Sequence, residues 1–295
     1  PIFTDEAIYA YWAQVALHDP ANRFISLEDG KQPLFVWLAA ISQKFIADPL
    51  VASRLVSVFA GFGSLIGIYL LTKSVFNKRI AQIACALYVI LPFTLLYDRM
   101  ALFDSLLTTL GIWSVFFSLK LVKEVKLENS ILAGVSIGLA MITKSSGNFF
   151  LYFLPLSLIF WEFKRQNKLT IVKWFGQAVV VFIITQIIYN SLRLSPLFYI
   201  IDRKNSEFIR TFGEVLANPL LLFSENAMTI IGWIITYNGL PLLMIFLITL
   251  SLGFSRRDKR IFYLLILIAL PFFAESIFNK VLYPRFLLFY FPYVI

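Results

Sequence analysis

Long apolar runs separated by short charged connections fill the chain from about residue 50 onward. Six of these runs approach or exceed the ~20 apolar residues that a helix needs to cross a bilayer. They are residues 50–72, 80–97, 102–122, 171–191, 227–252 and 261–278. Two shorter runs, 130–143 and 148–162, flank a lone lysine, and a further run begins near residue 285. The pattern predicts an all-α, polytopic membrane protein with about eight to nine transmembrane helices in this chain.

The first 48 residues follow a different pattern. Four apolar residues recur there at helical spacing, namely Ile8, Tyr11, Trp12 and Val15. This spacing predicts an amphipathic helix over residues 5–19 that lies on the membrane surface. A second apolar run, 34–46, is too short to span a bilayer and predicts a second interfacial helix.

The composition supports a membrane protein and excludes several other classes. The residues AVILMFWYC make up 59% of the chain, and the mean hydropathy is +0.80. Charged residues make up 15%, below the roughly 25% of soluble domains. Soluble, disordered and collagen-like proteins are therefore excluded. A single cysteine, Cys85, cannot form an intrachain disulfide, and a single histidine, His18, argues against a histidine-based metal site.

The charges separate by side of the membrane. Every second connection is strongly positive, and these connections together hold 14 cations against four acids. The remaining segments hold 12 cations and 13 acids. Because positive connections stay in the cytoplasm, the other set faces the extracytoplasmic side of the cell membrane. The net charge of +9 is therefore a topology signal, and nucleic acid is excluded as a partner in favour of membrane lipids.

This sidedness predicts a single transmembrane domain over 1–295 with two long external segments. The first external loop is 1–48 and carries both interfacial helices. Transmembrane helices follow over 49–191, and the second external loop is 192–226. The helices of 227–295 complete the domain, and we expect the last of them to be cut by the end of the sequence.

Acidic residues lie at two places on the predicted external face. Asp5 and Glu6 occupy the first turn of the surface helix, where the helix dipole favours their ionised forms. A carboxylate held there can act as a general base or a metal ligand, although ordinary first-turn acids look the same in sequence. Asp104 lies inside an apolar run, where a carboxylate is costly unless it is paired or faces water. Asp104 is either a functional acid or a structural partner of Arg99.

Three cations lie near the same external boundaries, namely Lys31, Lys144 and Arg285. Lys144 precedes a Ser-Ser-Gly turn whose backbone donors suit a phosphate, although each cation can also simply reach the lipid headgroups. Carboxylates combined with phosphate-binding cations are what glycosyl transfer from a lipid phosphate requires. Two other classes stay open on these residues: a flippase or transporter of a lipid-linked sugar, and a membrane scaffold without chemistry.

Short motifs follow one another in a fixed order along the whole chain. They are Thr4-Asp5-Glu6-Ala7-Ile8-Tyr9, Lys31-Gln32-Pro33-Leu34-Phe35-Val36-Trp37, Arg54-Leu55, Asp98-Arg99 through Asp104, Leu139 to Lys144, and Tyr283-Pro284-Arg285-Phe286. In this order and spacing the chain resembles the membrane-embedded C-type glycosyltransferases. The similarity is greatest to the bacterial branch near the protein O-mannosyltransferases and the lipid A aminoarabinose transferase. Gln32-Pro33 stands where the latter usually has two prolines, so the sugar and the acceptor stay open.

The resemblance implies an inverting glycosyltransferase that takes a sugar from a polyprenyl phosphate on the extracytoplasmic face. The acceptor is then a hydroxyl of a protein, a lipid or a glycan. It assigns the catalytic base to Asp5 and a second acid of the catalytic site to Asp104. Substrate binding falls on Glu6, Lys31, Arg99, Lys144 and Arg285. We expect no cofactor and no metal, and we expect the crossing helix that precedes the first loop in this family to lie outside the sequence.

Overall fold

The computed structural model describes residues 2–162 and 168–295, and no β-strand forms within these two segments. The α-helices are α1 (Thr4–His18), α2 (Leu34–Gln43), α3 (Pro49–Val75), α4 (Lys78–Ile90), α5 (Pro92–Tyr97), α6 (Phe103–Lys123), α7 (Leu127–Met141), α8 (Asn148–Leu156), α9 (Lys168–Asn190), α10 (Ile200–Phe208), α11 (Phe212–Ala217), α12 (Phe223–Ser255) and α13 (Lys259–Phe278). Short 3-10 helices connect several of them and include Ser145–Gly147, Pro284–Phe289 and Phe291–Tyr293. The all-helical fold class is confirmed.

Four stretches of the described chain are long and apolar enough to cross a membrane: α3, α6, Leu169–Leu194 and α13. The two halves of α12 make a fifth if they are counted as one span, since they meet at a bend of 114°. The bend lies at Gly239, whose φ of 74° is open to glycine but costly for other residues. The chain is thus a multi-pass membrane protein by the length and composition of its helices, but the eight to nine spans expected from the sequence are not confirmed.

The difference in the number of spans has identifiable causes. The run 80–97 divides into α4 and α5, because Leu91 is extended and Pro92 begins a new helix instead of continuing the first. The run after residue 285 forms two 3-10 helices, each beginning at a proline. Most of their apolar side chains are buried within the protein, and the described residues of this run form no crossing helix. The runs 130–143 and 148–162 form only the shorter helices Leu127–Met141 and Ser145–Phe160.

Helix α6 lies at the centre of the bundle. Its most apolar stretch is 78% buried inside the protein, against 17% for Leu169–Leu194. It packs against α3 and α7, and α7 packs in turn against α9. The approach of α8 to α6 requires Gly111, because a Cβ there would lie 2.1 Å from the ring of Phe150. The side chains of α6 are therefore in protein contact, whereas the outward side chains of α9 suit contact with lipid.

The two faces of helix α1 differ in the size of their side chains. The face that packs on α2 and α3 carries Tyr9, Ala10, Ala13 and Ala16, and the small side chains allow a close approach. Ile8 and Tyr11, two of the residues that predicted the helix, are exposed on the other side. An exposed apolar face suits the membrane surface, and that location remains a prediction.

The basic connections share one end of the bundle. Lys123 Nζ donates to the carbonyl of Ser74 at 2.7 Å. The ammonium of Lys259 lies 5.5 Å from the ring centre of Phe160. The first contact joins the end of α6 to the end of α3, and the second places the start of α13 against Phe160. The segments predicted to be external gather at the opposite ends of the same helices, where they enclose a cavity.

Candidate active site

The cavity has a volume of about 380 Å³ and opens among the α1–α2 connection, the start of α6, residues 143–152, α10 and the end of α13. Charged side chains from six separate segments line it: Asp29, Lys31, Asp104, Lys144, Lys204, Glu275 and Arg285. Most other large side chains in the wall are aromatic, namely Tyr9, Phe103, Phe149, Tyr152, Phe208, Phe278, Tyr283 and Phe286. Aromatic walls with a few converging polar groups are typical of a small-ligand site.

Arg285 connects the two acids that the sequence singled out as catalytic. Its Nη1 lies 2.5 Å from Oδ2 of Asp5, and its Nε lies 3.9 Å from Oδ2 of Asp104. Burial opposes the charge of Arg285, but the carboxylates of Asp104 and Asp5 and the hydroxyl of Tyr9 raise its pKa above the ordinary value. The Asp5 side chain is 28% exposed and that of Arg285 only 12%, so Asp5 stays accessible beside the cavity.

Lys144 pairs with the other carboxylate oxygen of Asp104. Its Nζ donates to Oδ1 of Asp104 at 2.7 Å and lies 4.1 Å from the ring centre of Phe286. Asp104 is buried, so this pair satisfies a carboxylate that would otherwise be costly. The alternative partner, Arg99, is exposed, does not line the cavity, and forms no ion pair with the described residues.

Lys31 is the cavity cation that forms no ion pair with an acid of the described residues. No carboxylate oxygen of the described residues lies within 4.0 Å of its Nζ, which instead faces the ring of Phe208 at 5.1 Å. Burial and the nearby charge of Lys144 both lower the pKa of Lys31. Gln32 donates to Oγ of Ser145 at 2.8 Å, which ties the segment of Lys31 to that of Lys144. The arrangement leaves a positive position to which an anion can bind.

Residues 30–189 match a family model described as dolichyl-phosphate-mannose-protein mannosyltransferase. The match covers more than half of the chain and includes Lys31, Asp104 and Lys144. The chain belongs to this family. The resemblance to the C-type membrane glycosyltransferases, drawn from the motifs, is thereby confirmed. No curated protein sequence matches the mannosyltransferase-family chain.

Solved structures share the fold of this mannosyltransferase-family chain. ArnT from Cupriavidus metallidurans in the apo state superposes with a TM-score of 0.62 at 16% identity, over 89% of this chain and 47% of that one. The same protein bound to undecaprenyl phosphate gives 0.62 at 14% identity, over 90% and 48%. The oligosaccharyltransferase AglB from Archaeoglobus fulgidus, in complex with an inhibitory peptide and a dolichol-phosphate, gives 0.56 at 16% identity, over 90% and 41%. The chain therefore spans about half the length of the ArnT structures.

Glu6 is not part of the cavity wall in the mannosyltransferase-family chain. It is 1% exposed and forms a two-point pair with Arg54 of α3, each N···O distance being 2.8 Å. The N–H of Ala101 donates to it at 2.8 Å and that of Phe3 at 3.2 Å. Burial alone would raise the pKa of Glu6, but these hydrogen bonds together lower it below the ordinary value. Glu6 thus fixes the first turn of α1, which carries Asp5, against α3 and the loop before α6.

Asp98, one residue before Arg99, is also outside the cavity. The hydroxyls of Ser105 and Tyr88 donate to its two oxygens at 2.7 and 2.8 Å. Burial nevertheless raises the pKa of Asp98 to about 6. Gly61 of α3 packs directly on this carboxylate, since a Cβ there would lie 2.6 Å from Oδ2. Asp98 therefore anchors the loop that leads into Asp104.

We expect Asp98→Asn to change how stability depends on pH. Because the pKa of Asp98 is higher in the folded than in the unfolded chain, the wild type loses stability as the pH rises from about 4 through 6. Asparagine does not ionise and can still bond both hydroxyls. The variant should gain on the order of 1–2 kcal/mol over the wild type between pH 4 and pH 7. Thermal unfolding in detergent across this range measures the difference, and a difference independent of pH would contradict the prediction.

We expect Gly147→Ala to disturb the turn that carries Lys144. A Cβ at Gly147 would lie 2.4 Å from the carbonyl carbon of Ala140, and no side-chain rotation relieves a contact with backbone. The expected loss of stability is about 1–3 kcal/mol. Gly176→Ala is the matched control, because no atom lies within 4 Å of a Cβ there. Thermal unfolding of both variants checks the prediction, which fails if they melt together.

Tyr9, Lys204 and Glu275 are among the residues of the cavity wall that were not predicted as site residues. Tyr9 follows Asp5 by one helical turn, so the spacing alone places both on one face. Lys204 comes from the external segment 192–226, and only tertiary contacts place it in the wall. Glu275 has Lys280 as its nearest sequence partner, but Lys280 pairs with Glu214 at 3.3 Å. Glu275 instead accepts from the hydroxyl of Tyr290 at 3.0 Å.

The three acids that the sequence singled out each lie beside a cation. Within the two described segments, no three His, Cys, Asp or Glu side chains come together as a ligand set. Asp5 is paired with Arg285, Asp104 with Lys144, and Glu6 with Arg54. Each of these three carboxylates therefore has a cation partner in this structure, and the absence of a metal stays a prediction.

Proposed function

We propose that the chain transfers a sugar from a polyprenyl-phosphate donor to an acceptor hydroxyl. The observation that carries this proposal is the joining of Asp5, Arg285, Asp104 and Lys144 beside an aromatic cavity in a chain of the mannosyltransferase family. The site has the two kinds of group that this reaction needs, a carboxylate to accept a proton and cations to stabilise a departing phosphate. Polyprenyl phosphates bound to ArnT and AglB support this class of donor.

The phosphate would bind at the cations. Lys31 has no acid at hand, and Lys144 and Arg285 reach into the same cavity. An arriving phosphate competes with Asp5 and Asp104 for Arg285 and Lys144, because each cation can exchange a carboxylate for a phosphate oxygen. Binding of the donor thereby releases Asp5 from Arg285 and leaves it free to act as a base. The lipid tail then extends among the apolar helices.

The chemistry is a single displacement at the anomeric carbon. The acceptor oxygen forms a bond to that carbon while Oδ of Asp5 takes the hydroxyl proton. The bond from the anomeric carbon to the phosphate oxygen breaks, and its electron pair leaves with the polyprenyl phosphate. Attack on the face opposite to the leaving group inverts the anomeric centre. The negative charge that develops on the phosphate is stabilised by Arg285, Lys144 and Lys31.

Asp104 and Glu6 have supporting roles in this proposal. Asp104 places Lys144 and Arg285 next to each other, since it contacts both. Glu6 holds the helical turn of Asp5 and is a positioning residue in this proposal, whereas the resemblance implied substrate binding. Arg99, exposed and outside the cavity, has no part in donor binding here. In this proposal the site faces the extracytoplasmic side, as the distribution of positive charge predicts.

A donor panel tests the proposal. The full-length protein in nanodiscs is incubated with polyprenyl phosphates that carry different radiolabelled sugars, together with a membrane and cell-wall extract. The proposal predicts transfer of label to a protein, lipid or glycan acceptor from at least one donor, and the productive donor and acceptor name the substrates. Donors that bind and stay intact across every extract would contradict it.

A further inference from the structure

Glu275 is a buried acid in the cavity wall for which the proposed reaction has no role. It lies near the end of α13 with only 6% of its surface exposed, and it lines the cavity. Its hydrogen-bond donor among the described residues is the hydroxyl of Tyr290, at 3.0 Å from Oε2. Among the described residues it forms no ion pair, and Lys280, the cation nearest to it in sequence, pairs with Glu214.

Glu275 differs from Asp104 in having no cation partner among the described residues. Both are buried acids in the wall of one cavity. Asp104 has Lys144 at 2.7 Å and Arg285 at 3.9 Å, whereas Glu275 has one neutral hydroxyl. A carboxylate buried without a cation is costly, and within a membrane helix such a residue is a functional candidate by default. A ligand with hydrogen-bond donors would compensate for this cost when it binds.

The position of Glu275, away from the cations of the cavity, favours a ligand group other than the phosphate. A carboxylate accepts hydrogen bonds and repels a phosphate, which the cations on other segments attract. The sugar of the donor has several hydroxyl groups that donate hydrogen bonds. The oxygen of Glu275 that Tyr290 leaves free can accept hydrogen bonds from such hydroxyls. Ala274, the neighbour of Glu275 in the wall, has a small side chain that leaves room beside the carboxylate.

We propose that Glu275 binds hydroxyl groups of the transferred sugar and contributes to the choice of donor. This inference rests on the proposed function and adds a sugar-recognising residue to it. Tyr290 is a positioning residue, because its buried hydroxyl holds one oxygen of Glu275 and leaves the other for the ligand. The cavity then has two binding regions, in which the cations bind the phosphate and Glu275 binds the sugar.

Two probes with the same lipid separate these roles. Binding of bare polyprenyl phosphate and of the productive polyprenyl-phosphate sugar is measured for the full-length protein in nanodiscs. Glu275→Gln should weaken binding of the sugar-bearing lipid about 10-fold or more, as expected for a lost hydrogen bond to a charged group. It should leave the affinity for the bare lipid within about twofold of the wild type. Glu225→Gln, which removes the same charge from an exposed position of α12, should change neither.

Each outcome decides the inference. Equal weakening of both lipids by Glu275→Gln, or no change in either, would overturn it. If that variant does not fold, Tyr290→Phe answers the same question, because it keeps Glu275 and removes its anchor; selective weakening of the sugar-bearing lipid is then expected, and unchanged binding of both lipids contradicts the role. A wild type that binds neither lipid and cleaves no donor would instead overturn the proposed function.

Discussion

Asp5→Asn should reduce sugar transfer by about 10²–10⁴-fold while the protein stays folded, since a positioned general base contributes a factor of this size. Asparagine keeps the shape of the side chain but cannot take the acceptor proton. The same variant should bind bare polyprenyl phosphate more tightly. The carboxylate of Asp5 competes with the phosphate for Arg285, and its removal should improve the affinity about 2–5-fold, as expected for a partly exposed ion pair.

This pair of effects distinguishes a base from a structural acid. Turnover is measured with the productive donor, and affinity is measured separately with the bare lipid phosphate. Asp202→Asn is the matched control, because Asp202 is an exposed acid on α10 outside the cavity and should change neither quantity. Loss of turnover together with loss of lipid affinity would assign Asp5 to the fold of the site and not to proton transfer.

Arg285→Gln should weaken binding of polyprenyl phosphate about 10–100-fold and lower turnover at least as much. A charge-assisted hydrogen bond to phosphate contributes about 1.5–3 kcal/mol, and the substitution removes it. The variant also leaves Asp5 without its cation and Asp104 with Lys144 alone. Arg285→Lys should recover only part of the loss, because an ammonium cannot reproduce the planar contacts of a guanidinium to two acids.

Binding of the lipid phosphate to nanodiscs measures this prediction directly. Arg203→Gln serves as the control, because Arg203 is exposed on α10 and does not line the cavity. If Arg285→Gln bound the lipid as well as the wild type and lost only turnover, Arg285 would act on the transition state alone. That result would contradict its role in holding the ground-state phosphate.

The sequence was sufficient to predict the all-helical fold class and the candidate residues of the site. Apolar periodicity predicted the helices, and the alternation of charge placed Asp5, Asp104, Lys144 and Arg285 on one face. The structure brings these four together although they lie up to 280 positions apart in the chain. Short motifs in a family-specific order were stronger than any single residue, and the family match agrees with them. The catalytic assignments themselves stay predictions.

The sequence did not predict which charged side chains pair with each other or how many helices are long enough to cross the membrane. An apolar run is the same in sequence whether it is buried in protein or faces lipid, which is why the run after residue 285 looked like a crossing helix. Glu6 and Asp5 are neighbours in one helical turn, but the ion pair of Glu6 with Arg54 depends on the packing of α1 on α3, which the sequence does not show. Glu275 is five positions from Lys280 in the sequence, but the path of the external segment brings Glu214 to Lys280 instead.

Cleavage of the donor by the reconstituted protein tests the central proposal most directly. The productive polyprenyl-phosphate sugar carries one label on the lipid and one on the sugar, and it is supplied with acceptor to sealed vesicles that contain the full-length protein or its Asp5→Asn variant. The proposed function predicts that only the wild type separates the two labels, releasing polyprenyl phosphate and glycosylated acceptor. Movement of the intact donor across the bilayer, with the labels still joined and no difference between the two proteins, would contradict it and indicate a transporter.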